Sequence, residues 1–192
     1  MRSEPLHSAN STATVTVFAW RLQGRCYKLG HDVPHAGGVI PAWIITGRHF
    51  GPKDIVPHLF EETDPGFHER CRPGDIIVTG RNFGMGPKMN GYIAIQALGL
   101  GLVCESMPFL AYRAAVGCGV RVMTECVNVG DFCDTGDELE VDFRSGYFIN
   151  HTRDIRREYP PMPDALLQIV ELGGNAGWLQ QWHDRRVAAE PK

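Results

Sequence analysis

Apolar residues in this chain come in short bursts, and glycine or proline separates most bursts from the next. The apolar run over 75–79 is too short for a helix and predicts a buried strand. A glycine-rich loop follows. Residues 90–98 then place Ile93, Ala94 and Ala97 on one helical face, and Gly99-Leu100-Gly101 ends that helix. Leu102-Val103-Cys104 predicts a second buried strand. Residues 108–116 predict a second helix, with Ser106 near its start as an N-cap. Residues 120–123 predict a third strand. Strand, helix, strand, helix, strand with links this short argues for parallel pairing through right-handed crossovers.

The flanks are simpler. Residues 14–20 read as a first strand closed by Arg21. The stretch HDVPHAGGVIPA (31–42) is too broken by Gly and Pro for regular structure. Residues 53–62, with apolar positions 55, 56, 59 and 60, predict a short helix begun near Pro52. In GDELEVDFRSGYFIN (136–150), Leu139, Val141 and Phe143 alternate, Ser145-Gly146 turns, and Tyr147-Phe148-Ile149 returns as a hairpin. Pro163 and Asp164 open a last helix that Gly173-Gly174 ends. The expected organisation is a flexible extension over 1–13, one domain over 14–183 and a tail over 184–192.

Composition narrows the function. With 192 residues and 43% hydrophobic content, the chain can build one domain with a real core. Its net charge is -3 and it has no Lys/Arg-rich run, which argues against nucleic acid or an anionic membrane as partner. No apolar run reaches about 18 residues, so no membrane-spanning helix is expected. The apolar stretch 15–20 is too short and interrupted for a signal peptide, and a cytoplasmic protein is expected. The six cysteines have no zinc-like spacing, and buried or incidental thiols are expected rather than a metal site.

The candidate chemistry lies in GRNFGMGPKMNG, from Gly80 to Gly91. Between a strand and a helix, such a loop brings backbone N–H groups and a helix N-terminus up to an anion. A dinucleotide site is disfavoured, because Gly84-x-Gly86 lacks the third glycine at the required spacing. No phosphate-binding G-x-x-x-x-G-K-[ST] occurs either.

Several segments together resemble the small subunit of 3-isopropylmalate dehydratase, a family similar to the swivelling fourth domain of aconitase. VIPA (39–42) matches its I-I-P-A segment. RPGDIIVTGRNFGMG (72–86) follows its P-G-D-I-I-V-x-G-x-N-F-G-x-G pattern. SMPFLAYRAAVGCGVRV (106–122), GDELEVDFRSG and LLQIVELGG follow in the family's order, so the resemblance covers about residues 25–182. It implies an α/β fold, a compact three-layer β/β/α swivelling domain with a parallel βαβαβ core and a C-terminal β-hairpin plus helix. It also implies a hydro-lyase subunit of leucine biosynthesis. Such a subunit closes over a larger iron–sulfur subunit, whose own cysteines hold the [4Fe–4S] cluster. The substrate would be a small hydroxy-carboxylic acid, by default isopropylmalate.

The resemblance also exposes departures. Where the family reads N-F-G-C-G-S-S-R, this chain reads Asn82-Phe83-Gly84-Met85-Gly86-Pro87-Lys88-Met89. The family's first serine is the general base and its arginine binds a substrate carboxylate. Neither is present. Its D-T-D segment is here Pro34-His35-Ala36-Gly37-Gly38, and its P-A-R is Pro41-Ala42-Trp43.

Lys88 is the best local substitute, as a point charge for a carboxylate or as a base if desolvation lowers its pKa. The bland alternative is a solvated loop lysine. Asn82, Gly84, Gly86, Lys88, Trp43 and His35 are the expected substrate-binding residues, with Lys88 also the catalytic candidate and no metal ligand. His31 and His35 are natural proton shuttles near neutral pH, although histidines in such a loop are more often surface residues. Arg81 and Arg48 are further candidates for the missing guanidinium. Trp43 suits an apolar wall. A second hypothesis is a non-catalytic paralog with a structural or regulatory role.

Overall fold

The computed structural model describes residues 18–47, 51–86 and 90–189. Seven strands form one mixed sheet: β1 (Arg21–Lys28), β2 (Ile76–Thr79), β3 (Gly101–Cys104), β4 (Arg121–Met123), β5 (Glu138–Asp142), β6 (Tyr147–Asn150) and β7 (Ile155–Glu158). Their spatial order is β4-β3-β2-β1-β5-β6-β7. The helices are α1 (Ala42–Thr46), α2 (Pro52–Ile55), α3 (Phe67–Arg70), α4 (Tyr92–Ala97), α5 (Phe109–Gly117), α6 (Asp164–Glu171) and α7 (Asn175–Ala189). The strands β1, β2, β3 and β4 pair in parallel, joined by the expected strand–helix alternation. The strands β5, β6 and β7 continue the sheet as antiparallel neighbours.

β1 belongs to both halves and changes partner midway. Arg21 to Arg25 pair with β5, and Cys26 to Lys28 pair with β2. Asp75, buried just before β2, sits at the changeover. Its Oδ1 accepts the Arg25 N–H at 2.8 Å and its Oδ2 accepts the Arg72 N–H at 2.8 Å. Gly24 lets the strands approach there, since a Cβ on it would lie 2.6 Å from Asp75 Oδ1 and 2.7 Å from the Gly74 carbonyl.

The two halves differ in burial as their roles require. Every residue of β2 and β3 is buried, as for strands covered on both faces. β1, β5 and β6 alternate, burying Leu22, Leu139, Val141 and Phe148 on one face only. Phe143 and Leu22 lie against β3, because a Cβ on Gly101 would meet Phe143 Cζ at 2.6 Å and Leu22 Cδ1 at 3.1 Å. Tyr92, Ala94 and Ile95 of α4 and Ala111, Ala115 and Val116 of α5 are buried from the helical side. Antiparallel sheet, parallel sheet and helices thus give the three-layer β/β/α arrangement.

Some sequence expectations change. The first strand begins at Arg21, after the expected stretch 14–20 rather than within it. Of that stretch only residues 18–20 are described, and they are not strand. Trp20 instead donates its indole N–H to Glu171 of α6 at 2.6 Å. The helix expected over 53–62 stops after Ile55 and continues as a 3₁₀ turn over Val56–His58, where Pro57 removes a donor. Ser106 does not cap α5. Its hydroxyl accepts the Asn82 N–H at 2.9 Å instead, and Pro108 precedes the helix.

Two elements were not expected. β7 is a charged, exposed edge strand, which carries no alternating apolar signal and resists edge-to-edge pairing. Helix α7 follows Gly173-Gly174 directly and runs across the boundary drawn at 183/184. The extension expected over 1–13 and residues 190–192 lie outside the described residues.

Replacing Asp75 by Ala orphans the Arg25 and Arg72 amides at the changeover. Asp75→Ala should destabilise the fold by about 2–4 kcal/mol, and Asp75→Asn by less, since one acceptor oxygen remains. Urea unfolding followed by circular dichroism checks both values.

Candidate functional site

The carboxyl ends of the four parallel strands open on one edge of the sheet, where α/β proteins bind ligands. Four loops meet there. They follow β1 (29–41), β2 (80–91), β3 (105–108) and β4 (124–128).

The loop after β2 is braced from several sides. Asn82 takes a left-handed conformation, φ 61°, which asparagine tolerates well. Its side-chain amide donates to Asp32 Oδ1 at 3.0 Å and faces Met85 Sδ at 3.7 Å. The Phe83 N–H donates to the Ser106 carbonyl at 3.0 Å, and the Gly84 N–H to the Val33 carbonyl at 2.8 Å. Gly84 has φ 78°, and a Cβ there would lie 2.0 Å from the Tyr92 hydroxyl oxygen. Only glycine fits both constraints. Gly86, at φ 130°, is likewise restricted to glycine.

These contacts correct part of the sequence reading. The amides of Asn82, Phe83, Gly84 and Gly91 are all spent within the protein. Helix α4 has six residues, too short to lend a strong helix N-terminus. These four N–H groups are therefore not free to cradle an anion. Lys88 lies outside the described residues, as do its neighbours Pro87 and Met89, and so does Arg48.

His35 is fully buried, not a surface histidine. Its Nε2 accepts the Gly91 N–H at 3.0 Å. An accepting Nε2 leaves the proton of the neutral ring on Nδ1, and this nitrogen has no hydrogen-bond partner among the described residues. The ring packs on Tyr92 at 5.2 Å between centroids. Burial alone pushes the His35 pKa down, to about 4. The Tyr92 hydroxyl, also buried and unpartnered among the described residues, is held protonated chiefly by burial. His35 in this geometry supports the loop and has no open path to a ligand.

Trp43 is the second residue of α1 and is 53% exposed, with its ring edge-to-face against His58 at 4.8 Å. His31 is exposed and receives the Arg81 N–H on Nδ1 at 2.9 Å. Glu105 holds the Arg81 guanidinium at 3.5 Å and lies 4.0 Å from the His31 ring, so Arg81 is already engaged by an acid. A cavity of about 340 Å³ lies over this cluster, also lined by Lys28, Asn128 and Asp131. The sequence reading missed Ser106, Asp32 and Tyr92 as braces of the loop. Their partners lie far along the chain, and no local pattern carries that pairing.

Among the described residues no three His, Cys, Asp or Glu side chains gather into a set able to hold a metal ion. All six thiols are free. Five are buried, and burial pushes the Cys126 thiol up to about 12.

Fold and loop together define an α/β domain of the aconitase swivelling type. No protein-family model matches the chain. Curated relatives do. The 3-isopropylmalate dehydratase small subunit 2 of Archaeoglobus fulgidus is 31% identical over 173 residues, 87% of this chain and 99% of that protein. The small subunit 1 of Methanopyrus kandleri is 34% identical over 155 residues, 80% of this chain and 89% of its own. The methanogen homoaconitase small subunit of Methanothermobacter thermautotrophicus is 33% identical over 155 residues, 80% and 87% respectively. A crystal structure of 3-isopropylmalate dehydratase from Methanocaldococcus jannaschii superposes with a TM-score of 0.78 at 23% identity, covering 88% of this chain and 99% of that one. The chain belongs to the 3-isopropylmalate dehydratase small-subunit family.

The depressed pKa of His35 gives a signed prediction. Its folded value near 4 lies below the ordinary 6.5. The unfolded chain therefore binds the proton first, and stability present above pH 6.5 is lost as pH falls toward 4. The loss should reach about 3 kcal/mol. No charged group contributes to the shift, and the titratable ring packed on His35 is Tyr92. Denaturant unfolding at pH 7 and pH 4.5 should show this loss in the wild type and a smaller one in His35→Gln, which does not titrate.

Proposed function

We propose that this chain is the small subunit of an aconitase-type hydro-lyase, closes over a larger iron–sulfur subunit and binds a small hydroxy-carboxylic acid. The supporting observation is a retained scaffold around an altered turn. The family's sheet, its glycine loop and the strand-end location are all present, while Ser-Ser-Arg is replaced by Pro87-Lys88-Met89. The [4Fe–4S] cluster belongs to the large subunit in this reading, which the chain's membership of the small-subunit family supports. When bound there, the cluster supplies Lewis-acid chemistry toward the substrate hydroxyl.

This chain's own contribution is recognition and closure. Lys88, between Gly86 and Gly91 in the sequence, binds a substrate carboxylate by a charge-assisted hydrogen bond. Trp43 supplies an apolar wall beside the site. With no hydroxyl in the turn, the base that removes the proton next to the carboxylate comes from Lys88 or from the large subunit. The complex is a heterodimer or a higher assembly and works in the cytoplasm, with neither nucleic acid nor membrane as partner. No described helix is long and apolar enough to cross a membrane. The lost serine and arginine favour a second reading, a structural or regulatory paralog with no turnover.

Anaerobic co-expression with the iron–sulfur large subunit tests both. Dehydration of isopropylmalate, citrate and related hydroxy acids is followed by the ultraviolet absorbance of the unsaturated product. Turnover is expected, and Lys88→Ala should lower kcat/KM roughly 10- to 100-fold with the complex intact. An intact complex that turns over no acid would leave the structural or regulatory reading.

A further inference from the structure

Two thiols far apart in sequence meet beneath an exposed turn. Cys26 lies in β1, and Cys133 lies in the segment that leads into β5. Both are free and fully buried. Main-chain bonds set their positions. The Cys26 N–H donates to the Asp137 carbonyl at 2.8 Å, and the Cys26 carbonyl accepts the Gly136 N–H at 2.9 Å. Between Cys133 and Asp137 the chain doubles back. The Asp137 N–H donates to the Asp134 carbonyl at 3.1 Å, and Asp137 Oδ2 accepts the Asp134 N–H at 2.9 Å. This turn brings Cys133 beside β1. There the Cys26 thiol donates to the Cys133 sulfur, and the Cys133 thiol donates to the Val129 carbonyl at 3.7 Å. Cys104 and Cys126 make a contrast. They are also neighbours, through the Cys126 N–H on the Cys104 carbonyl at 3.2 Å, but their thiols donate to the Met123 and Thr124 carbonyls.

We propose that Cys26 and Cys133 form a reversible disulfide when the chain meets hydrogen peroxide, fastening the segment before β5 to β1. Cys133 is the attacking sulfur. The hydrogen bond from Cys26 pulls its pKa below that of an ordinary thiol, and the charge of Lys28 acts in the same direction, against burial. A sulfur with more thiolate character is the better nucleophile. It attacks one peroxide oxygen and the O–O bond breaks. Cys133 becomes a sulfenic acid, and its proton leaves with the other oxygen as water. The Cys26 sulfur then attacks the Cys133 sulfur. The S–S bond forms, the S–O bond breaks, and the Cys26 proton leaves with the hydroxyl as a second water. Two thiols are oxidised and one peroxide is reduced.

The surroundings suit both steps. Hydrogen peroxide is little larger than water, and Asp134, Thr135 and Gly136 over Cys133 are exposed, so a brief local opening admits it. Cys26 is held by Ile76 of β2 on one side and by the 136–137 backbone on the other, so closing the bond moves the Cys133 segment rather than β1. Just before Cys133, Asn128, Gly130 and Asp131 line the cavity over His31, Arg81 and Glu105. The disulfide therefore stiffens one wall of that cavity.

The linkage is read by treating the full chain with a small molar excess of hydrogen peroxide. The remaining thiols are blocked with N-ethylmaleimide in denaturant, and peptides are mapped without reduction. Four of the six thiols should be blocked, with one peptide pair joined through Cys26 and Cys133, and dithiothreitol should return all six. Cys133→Ala should remove the joined pair, and Cys126→Ala should leave it. The oxidised wild type should melt roughly 5–15 °C above the reduced chain, because the cross-link closes a loop of about 100 residues in the unfolded state. Amide exchange over 129–137 should slow at least tenfold on oxidation. The wild-type map alone decides the linkage, whether or not a variant folds. A different pair, a cross-link between chains, over-oxidation of Cys133 with Cys26 still free, or six intact thiols would overturn the proposal.

Discussion

The structure depends on one strand serving both halves of the sheet. β1 gives its first half to an antiparallel ladder and its second half to a parallel one. At such a changeover a main-chain amide risks losing its partner, and a buried unpaired N–H costs about 1–3 kcal/mol. Asp75 meets that demand by accepting the Arg25 and Arg72 amides with its two oxygens. Gly24 gives the room for the approach. With the changeover fixed, the sheet can place Phe143 and Leu22 over β3 while α4 and α5 are buried from the other side. The carboxyl ends of four strands then share one edge, and the candidate site forms there.

The same logic of main-chain partners shapes the site. A glycine-rich loop invites the expectation of free N–H groups around an anion. Here Ser106, Val33 and His35 take those donors, and the loop becomes a braced platform. Gly84 is required because the Tyr92 hydroxyl stands where a Cβ would be, a steric demand rather than an anion-binding one. Lys88 is the charged residue that the sequence puts between Gly86 and Gly91.

Much of the fold was legible in the sequence. Continuous apolar runs marked β2 and β3, and strict alternation marked the β5–β6 hairpin, because burial on two faces or one leaves those two patterns. Element ends were less legible. The first strand was placed before Arg21 because Arg21, Gln23 and Arg25 face solvent and dilute the apolar signal. β7 and α7 were missed because both are largely exposed, so burial imposes little pattern on them. In the site, the glycine loop and its strand-end position were readable from composition and order. Its supports were not. Asp32 to Asn82, Ser106 to Asn82 and His35 to Gly91 are contacts between distant positions. His35 looked like a surface histidine, since the Gly/Pro-rich stretch around it gives no hint of burial.

The central proposal is that this subunit brings Lys88 to a substrate carboxylate at the boundary with the large subunit. The most direct measurement is a structure of the complex with the large subunit and a bound hydroxy acid. The account predicts Lys88 Nζ within hydrogen-bond distance of a carboxylate oxygen and His35 still bound to Gly91. A ligand held by the large subunit alone, with Lys88 out of reach of it, would contradict it.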